Sequence, residues 1–255
     1  MTKVHQDKVA VITGAANGIG QAFAKRLAED GVHITIVDIA SPDQTVKLVE
    51  QAGRKALACR CDITSEAAVA AMAADVQKTF GRCDIVVNCA GIFPTQDFES
   101  MTFADWRRMM AINLDSMFLV THAFVSGMKQ RGWGRIVGLS SSTVGSVVSG
   151  YAHYVTTKAG IIGFTRALAG ELGPFGITVN AIAPSITRTP GTLGRQPRAG
   201  IASMEDEFAL VAQSQAIKRV EVPDDLVGTL SYLTSDDAAF VTGQTINVNG
   251  GRIFG

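Results

Sequence analysis

The chain has 255 residues, of which 47% are hydrophobic and 18% are charged. Lysine and arginine together number 23, as do aspartate and glutamate, so the formal net charge is zero. This balance lacks the basic excess typical of proteins whose main partner is nucleic acid. No continuous apolar run approaches the roughly 20 residues of a membrane span, and the N-terminal residues lack the apolar stretch of a signal peptide. We therefore expect a soluble cytoplasmic protein with no membrane partner.

The cysteines are too few for a disulfide framework in a chain of this length. Cys59 and Cys61 form a C-x-C pair, but no second metal-spaced pair and no nearby histidine accompanies them. We predict reduced, half-buried thiols and no metal site.

Strand-like and helical patterns alternate along the chain. The predicted strands, in chain order, are Val9–Thr13, His33–Val37, Lys55–Cys59, Asp84–Asn88, Arg135–Leu139, Thr178–Ala181 and Thr245–Val248. The predicted helices are Gly18–Asp30, Gln44–Gln51, Glu66–Phe80, Phe103–Gln130, Ala152–Leu172 and Asp224–Ser235. Continuous apolar strands joined by helices are typical of a parallel sheet covered on both faces. We predict one α/β domain over residues 1–255, a Rossmann-type doubly wound parallel sheet of about seven strands.

The interval from Arg188 to Gln215 interrupts this alternation, because it holds Pro190 and Pro197 and has only a weak apolar pattern. Long irregular insertions in compact domains are usually functional or mobile. We expect residues 189–215 to form a lid over the substrate.

A glycine-rich turn, Gly14-Ala-Ala-Asn17-Gly18-Ile19-Gly20, joins the first strand to the first helix. Glycines allow backbone amides to approach a pyrophosphate, and the helix N-terminus adds partial positive charge. Glycines at such a turn also serve purely conformational needs, so the surrounding residues must decide between the two roles.

Asp38 ends the second strand, 18 residues after Gly20. A carboxylate at this place binds the ribose hydroxyls of adenosine and repels a 2′-phosphate. No arginine or lysine follows Asp38 at once or lies in the glycine turn. The pattern favours NAD over NADP, and the alternative is a solvated aspartate at a strand end.

Two later strand ends extend the same nucleotide-binding edge. Asp62 and Ile63 follow the third strand, where Asp62 would contact the adenine amino group. Asn88, Ala90 and Gly91 follow the fourth strand, and the small residues leave room for a ribose. Ligands of open parallel sheets bind at the carboxyl ends of the strands.

Tyr154 and Lys158 stand four residues apart and so share one face of a helix. Together with the positive charge of a nicotinamide, the lysine would lower the tyrosine pKa from about 10 toward the working pH. Such a tyrosine is suited to general acid–base catalysis, and the run Ser140-Ser141-Ser142 at the end of the fifth strand places a hydroxyl where it could hold the same substrate oxygen. His153 points about 100° away from Tyr154, which predicts a pocket-wall or surface residue.

Across almost the whole chain, these motifs resemble the short-chain dehydrogenase/reductase family. The likeness rests on the glycine turn, the segment 88–91, Asn113, a serine 13 residues before the tyrosine, and the Tyr-x3-Lys pair. The resemblance implies a catalytic tetrad of Ser141, Tyr154, Lys158 and Asn113. In the family the asparagine holds a water that links the lysine to solvent protons. Ser140 and Ser142 remain alternatives for the serine, and Asn113 is also compatible with a mid-helix amide bonded to its own backbone.

The segment after the sixth strand resembles the family's turn beside the nicotinamide, with Pro184, Ile186 and Thr189 as implied cofactor contacts. Ser185 replaces the usual glycine there, and Thr187 is an alternative to Thr189.

The predicted substrate walls are Phe93, Thr143, Tyr151 and Ile186, beside Ser141. These walls are apolar or neutral, whereas a substrate anion would require an arginine. The nearest arginines are Arg188, Arg195 and Arg198, on or beside the lid. We therefore expect a medium-sized, mostly neutral secondary alcohol or its ketone. Within the family, the chain looks most like the secondary-alcohol branch that includes NAD-dependent 1-phenylethanol dehydrogenases, especially in the segments Ala183–Ser185, Gly132–Arg135 and Phe240–Thr245.

The leading hypothesis is thus an oxidoreductase that uses NAD and a small-molecule substrate. One alternative is 3-oxoacyl-(acyl-carrier-protein) reduction, against which stand Asp38 and also Phe175, at a position where carrier-protein reductases often have a basic residue. Another is a catalytically silent NAD-sensing protein, which should lack part of the tetrad.

The methionine-rich helix and the Tyr154 helix are apolar beyond what one sheet face covers, which together with the family resemblance predicts a homotetramer, with a dimer as the alternative. Asn249 stands where the family usually has aspartate, and we expect it to affect packing or subunit contacts.

Overall fold

The computed structural model describes residues 5–198 and 200–254. Within them, seven parallel strands form one sheet in the order β3-β2-β1-β4-β5-β6-β7. The strands are β1 (Val9–Thr13), β2 (His33–Asp38), β3 (Ala56–Arg60), β4 (Ile85–Asn88), β5 (Gly134–Leu139), β6 (Ile177–Pro184) and β7 (Thr245–Val248). The helices are α1 (Gly18–Glu29), α2 (Asp43–Gln51), α3 (Glu66–Phe80), α4 (Phe103–Met110), α5 (Ser116–Arg131), α6 (Ala152–Leu172), α7 (Pro190–Leu193), α8 (Met204–Ser214) and α9 (Asp224–Thr234). The predicted doubly wound parallel sheet is confirmed.

The first strand explains why the strand sequences are continuously apolar. Val11 packs on one face of the sheet in a cluster with Phe124 of α5. Ile12 points to the other face and packs with Phe23 of α1. Because both faces are covered by helices, alternate residues of the strand are all buried, and each large side chain contributes roughly 1.5–3 kcal/mol. The strand order reverses between β1 and β4, which makes a crevice at the carboxyl ends of these strands.

The helix predicted over Phe103–Gln130 contains a turn that the sequence pattern did not indicate. Between α4 and α5, residues Ala111–Asp115 form a π-helical turn, so that the helical stretch Phe103–Arg131 is continuous but not regular. By length and composition this stretch would pass as a membrane span, yet Met109 and Met128 are buried in the core of the domain. Single π turns often occur at functional sites.

The segment 189–215 is more regular than predicted. It contains the short helix α7 and the 11-residue helix α8. Ser203 caps α8 by accepting a hydrogen bond from the Asp206 N–H, and the fully buried Phe208 anchors the helix. The expectation of an irregular segment is therefore wrong for residues 204–214, because a capping serine and one buried aromatic ring compensate for a weak apolar pattern.

Candidate active site

A cavity of about 730 Å³ opens along the carboxyl ends of the strands. The predicted cofactor residues that line it are Gly14, Asn17, Gly18, Ile19, Gly20, Asp38, Asp62, Ile63, Ala90, Gly91, Pro184, Ile186 and Thr189. The predicted catalytic and substrate residues that line it are Phe93, Ser141, Thr143, Tyr151, Tyr154 and Lys158. Two further predicted residues, Asn88 and Asn113, are buried and do not line the cavity.

The glycine turn between β1 and α1 has no room for side chains. A Cβ on Gly14 would lie 2.7 Å from the Ala90 Cα, and one on Gly20 would lie 2.2 Å from the Gly14 carbonyl oxygen. Gly14 and Gly18 also have positive φ angles of 66° and 58°. Asn17 precedes α1 without a side-chain cap, so the first amides of the helix remain free for an anion. The turn therefore fits the pyrophosphate of a dinucleotide.

The Asp38 carboxylate lies against this turn. Its oxygens accept hydrogen bonds from the Ala16 N–H and the Ala40 N–H, each at 3.0 Å. The aspartate is therefore fixed in orientation while still lining the cavity. This arrangement fits an acceptor for ribose hydroxyls and leaves a negative charge where a 2′-phosphate would lie.

Asp62 also lines the cavity, and its carboxylate accepts hydrogen bonds from the backbone N–H and the hydroxyl of Thr64. These hydrogen bonds lower the pKa of Asp62. The prediction for Asn88 needs correction, because its side chain is buried and its amide donates to the Thr121 hydroxyl at 3.1 Å. Asn88 thus joins β4 to α5, and it is not among the residues that line the cavity.

Tyr154 and Lys158 lie side by side at the start of α6. The Lys158 Nζ is 5.6 Å from the centre of the Tyr154 ring and donates to the Leu139 carbonyl at 2.7 Å. The Ser141 hydroxyl accepts from the Thr143 N–H and the Thr143 hydroxyl. The Tyr151 ring meets the Tyr154 ring edge-on, with 5.4 Å between centroids. A phenol, a hydroxyl and an ammonium thus converge on one end of the cavity.

The pKa of Tyr154 in the chain alone is higher than the sequence-based expectation. Burial raises its pKa to about 12, and hydrogen bonding to Ser141 opposes this only in part. Burial also lowers the pKa of Lys158 to about 8. In the chain by itself, desolvation outweighs the hydrogen bond with Ser141 and the charge of Arg195, so the phenol stays protonated at neutral pH and the expected lowering of its pKa by Lys158 is not seen.

Asn113 owes its position to the π turn. Its Oδ1 accepts from the Ile92 N–H and its Nδ2 donates to the Ile92 carbonyl, each at 2.8 Å. A Cβ on Gly91 would lie 3.2 Å from the Asn113 Oδ1 and 3.6 Å from the Lys158 Nζ. The amide therefore fastens the segment after β4 directly beside the lysine, and the alternative of an amide bonded to its own backbone is wrong.

The segment after β6 is held by a residue that the sequence did not mark. The buried Glu221 carboxylate accepts from the Ser185 N–H and the Thr187 hydroxyl. This bond occupies Thr187, whereas the Thr189 side chain lies 3.4 Å from the place of a Cβ on Gly18, beside the glycine turn. Ser185 has no positive φ angle, so serine substitutes for the family's glycine without backbone strain. Thr187 and Thr189 both line the cavity, and the Thr189 hydroxyl accepts a hydrogen bond from the Thr192 N–H at 3.1 Å.

Burial raises the pKa of Glu221 from 4.5 to about 7, against the opposing hydrogen bonds from Thr187 and Ser185. The folded state therefore retains this proton longer than the unfolded state does as the pH rises. We expect the contribution of Glu221 to the free energy of unfolding to decline between pH 4.5 and 7, by up to about 3 kcal/mol. Denaturant titrations of wild type and Glu221→Gln at pH 5 and pH 8 should show the stability advantage of wild type shrinking. Glu205→Gln, in an exposed ion pair, should show no comparable trend, and an advantage of wild type that is equal at both pH values would contradict the assignment.

His153 is neither a pocket-wall nor a surface residue. Its ring is buried, and neither ring nitrogen has a hydrogen-bond partner among the described residues. Burial lowers its pKa, which keeps the imidazole neutral. The prediction failed because α4 packs over this face of α6.

One end of the cavity is charged, contrary to the expectation of apolar or neutral walls. Arg195, Arg198, Glu207 and Arg252 all line it. Arg188, by contrast, pairs with the exposed Glu205 and does not line the cavity. Neither Glu207 nor Arg252 was singled out from the sequence, because one lies on an unpredicted helix and the other beyond the last strand.

Comparison with known proteins agrees with this geometry. The model of a family described as enoyl-(acyl carrier protein) reductase matches residues 14–252. The short-chain reductase protein NovJ of Streptomyces niveus is 37% identical over 98% of this chain and 95% of its own length. Carveol dehydrogenase from Mycobacterium avium in complex with NAD has a TM-score of 0.92 at 28% identity, over 98% of this chain and 99% of that chain. An actinorhodin polyketide ketoreductase with NADPH has a TM-score of 0.91 at 33% identity, over 96% and 97% of the two chains. The fold, the glycine turn, the tyrosine–lysine pair and these relatives together lead to one conclusion: the chain belongs to the short-chain dehydrogenase/reductase family of oxidoreductases.

Proposed function

We propose that this protein is an NAD-dependent oxidoreductase that interconverts a medium-sized secondary alcohol and its ketone. The observation that carries the proposal is the convergence of Ser141, Tyr154 and Lys158 on the cavity that also holds the glycine turn and Asp38. Bound NAD supplies the acceptor or donor of the hydride. The complete set of acid–base residues argues against a silent NAD sensor.

In this proposal, four side chains have separate roles in proton transfer. The Ser141 hydroxyl holds the substrate oxygen, and Tyr154 exchanges a proton with it as general base or acid. Lys158, fixed by the Leu139 carbonyl, offers a positive charge to the phenolate and a donor to the nicotinamide ribose. Asn113 holds the chain next to the lysine through its two bonds to Ile92.

The choice of NAD rests on Asp38. Solved relatives occur both with NAD and with NADPH, so membership in the family does not decide between them. In this chain the carboxylate is oriented by the backbone amides of Ala16 and Ala40. Its negative charge disfavours a 2′-phosphate.

The part of the substrate next to the reacting carbon is apolar in this proposal. Phe93 and Tyr151 line the cavity on that side and suit an aryl or alkyl arm, as in 1-phenylethanol. We also propose that residues 189–215 act as the lid of the single domain, since Gly191 of α7 lies against the Phe93 ring. Closure would exclude water and strengthen the electrostatic interactions around Tyr154.

The proposal is tested by initial rates with 1-phenylethanol-like alcohols, short aliphatic alcohols, hydroxy acids and 3-hydroxyacyl thioesters. Each is offered with NAD and with NADP. We expect turnover of secondary alcohols that carry an aryl or medium alkyl arm, with NAD preferred. Turnover confined to the thioesters would replace the proposal with the acyl-carrier-protein reductase alternative.

We propose a homotetramer, built through α5 and α6. Phe118 of α5 is 52% exposed and stacks on His122, and α6 presents the exposed small residues Gly163 and Ala167. Close approach of another copy would cover this surface, as in the family. Light scattering at micromolar concentration should give four times the mass of one chain, and Phe118→Glu should lower it. Phe98→Glu, at a ring outside these helices that is 76% exposed, serves as the control, and a single-chain mass for wild type would reject the proposal.

A further inference from the structure

We infer that the charged end of the cavity is a binding site for a substrate carboxylate, with Arg252 as its principal donor. This inference rests on the proposed function, because it adds an anionic terminus to the proposed secondary alcohol. The apolar arm would then lie between the reacting carbon and this terminus.

Two of the three arginines at this end of the cavity, Arg195 and Arg198, already bind the same carboxylate, that of Glu207. The Arg195 Nη2 is 2.6 Å and the Arg198 Nε is 2.8 Å from the Glu207 Oε1. The backbone N–H of Arg198 donates to the other carboxylate oxygen of Glu207 at 3.0 Å. Burial alone would raise the pKa of Glu207, but these bonds and charges lower it overall, so the glutamate is ionised. Its side chain is only 2% exposed, and its acceptor capacity is directed to the two arginines.

Of the three arginines at this end, Arg252 is the one whose guanidinium forms no hydrogen bond among the described residues, although the charge of Glu207 acts on it. No side-chain hydrogen bond or ion pair joins it to any residue in the described ranges 5–198 and 200–254, although it lines the cavity and is partly buried. Burial lowers its pKa first, and the nearby positive charge of Arg198 adds to this. A guanidinium nevertheless stays protonated in proteins. The cluster therefore holds three positive charges against one negative charge.

Such an excess is unfavourable in a partly enclosed cavity, where charges are poorly screened. A ligand carboxylate would remove the imbalance and give Arg252 a planar, bidentate partner. The cluster also lies within electrostatic reach of the reacting end, since the charge of Arg195 lowers the pKa of both Tyr151 and Tyr154 in opposition to their burial. Because the arginines and Tyr154 line the same cavity, one ligand can carry both the anion and the reacting carbon in this proposal.

The chain after β7 is built to hold Arg252 in place. The Asn249 Oδ1 accepts from the Gly251 N–H at 3.0 Å and from the Arg252 N–H at 3.1 Å. The Asn249 Nδ2 donates to the Ile253 carbonyl at 3.3 Å. A Cβ on Gly145 would lie 2.7 Å from the Ile253 side chain. The turn after β7 therefore packs against the segment that follows Ser141. An aspartate at 249 would have no donor for the last bond, which gives the asparagine a role in shaping this turn.

The test is direct calorimetric binding to the full-length protein saturated with NAD. The probes are phenylacetate, 3-phenylpropanoate and 4-phenylbutyrate, each paired with its neutral amide. We expect at least one acid to bind at least tenfold more tightly than its amide. Arg252→Gln should reduce this ratio to about one, and Arg252→Lys should give an intermediate ratio because it keeps the charge without the planar fork. Arg188→Gln, at the ion pair outside the cavity, should leave the ratio unchanged.

Equal binding of every acid and its amide would overturn the inference, as would an unchanged ratio in a folded Arg252→Gln protein. A loss of NAD affinity in Arg252→Gln as large as the loss of acid binding would assign the arginine to the cofactor and also overturn it. The rate panel separates this inference from the proposed function. If alcohols are turned over but the acids bind no better than their amides, only the carboxylate site is contradicted. If the acids bind better than their amides but no alcohol is turned over, only the proposed activity is contradicted.

Discussion

Tyr154→Phe should lower turnover by at least the roughly 10²–10⁴-fold that is typical of a lost general acid or base. The substitution keeps the ring that packs edge-on against Tyr151 and removes the hydroxyl, which is the group that exchanges the proton. Because the glycine turn and Asp38 are untouched, NAD affinity should change little. Turnover is measured with the best alcohol of the panel, and NAD affinity by calorimetry.

The matched control is Tyr232→Phe, which removes a hydroxyl from a tyrosine on α9 that is 44% exposed and does not line the cavity. Its turnover should equal that of wild type. If Tyr154→Phe retains more than a tenth of native turnover while chemistry is rate-limiting, the assignment of Tyr154 as the acid–base group is wrong.

Asp38→Ser should shift the ratio of kcat/KM for NAD over NADP toward NADP by about 10- to 100-fold. The carboxylate loses both its bonds to the ribose hydroxyls and its repulsion of a 2′-phosphate, and bonds to a charged group contribute roughly 1.5–3 kcal/mol. Asp38→Asn separates these effects, because it removes the charge while keeping an acceptor for the Ala16 N–H. We expect Asp38→Asn to gain NADP activity with less loss of stability.

Glu50→Gln, at an exposed acid on α2, controls for the general change in charge. It should leave the cofactor ratio unchanged. Equal kcat/KM of the native protein for NAD and NADP would contradict the role of Asp38 before any variant is made.

The parts of the structure that the sequence predicted are those that local patterns specify. Most of the strands were predictable from short apolar runs, although β7 alternates polar and apolar residues, and α3 and α6 have the bounds that their periodicity indicates. The glycine turn and the Tyr154–Lys158 pair were predictable because their residues are adjacent or one helical turn apart. For Asn113 and Ser141 the family resemblance supplied the role.

The remaining features depend on contacts between distant segments. Glu221 meets Ser185 across 36 positions, and Arg252 reaches the cavity only because the turn after β7 packs against residue 145. The pKa of Tyr154 depends on burial by the whole domain, which no motif encodes. Asn88 was misassigned because the sequence shows where a strand ends but not which side chain points behind the sheet.

The π turn at Ala111–Asp115 also constrains which insertions and deletions the gene can tolerate. A π turn holds one more residue than an α turn, and one residue corresponds to about 100° of rotation. Met109 before the turn and Met128 after it are both buried. Deleting one residue from this turn would give a regular helix and leave the two methionines 18 residues apart, which is five full turns, so both would stay on the core-facing side. The amide of Asn113 would lose the position that the π turn gives it. A deletion scan across residues 103–131 should therefore find that single-residue deletions at 111–115 keep soluble yield better than deletions elsewhere in the stretch, which rotate one flank by about 100°. The variants that keep soluble yield should still lose turnover, because Asn113 is displaced.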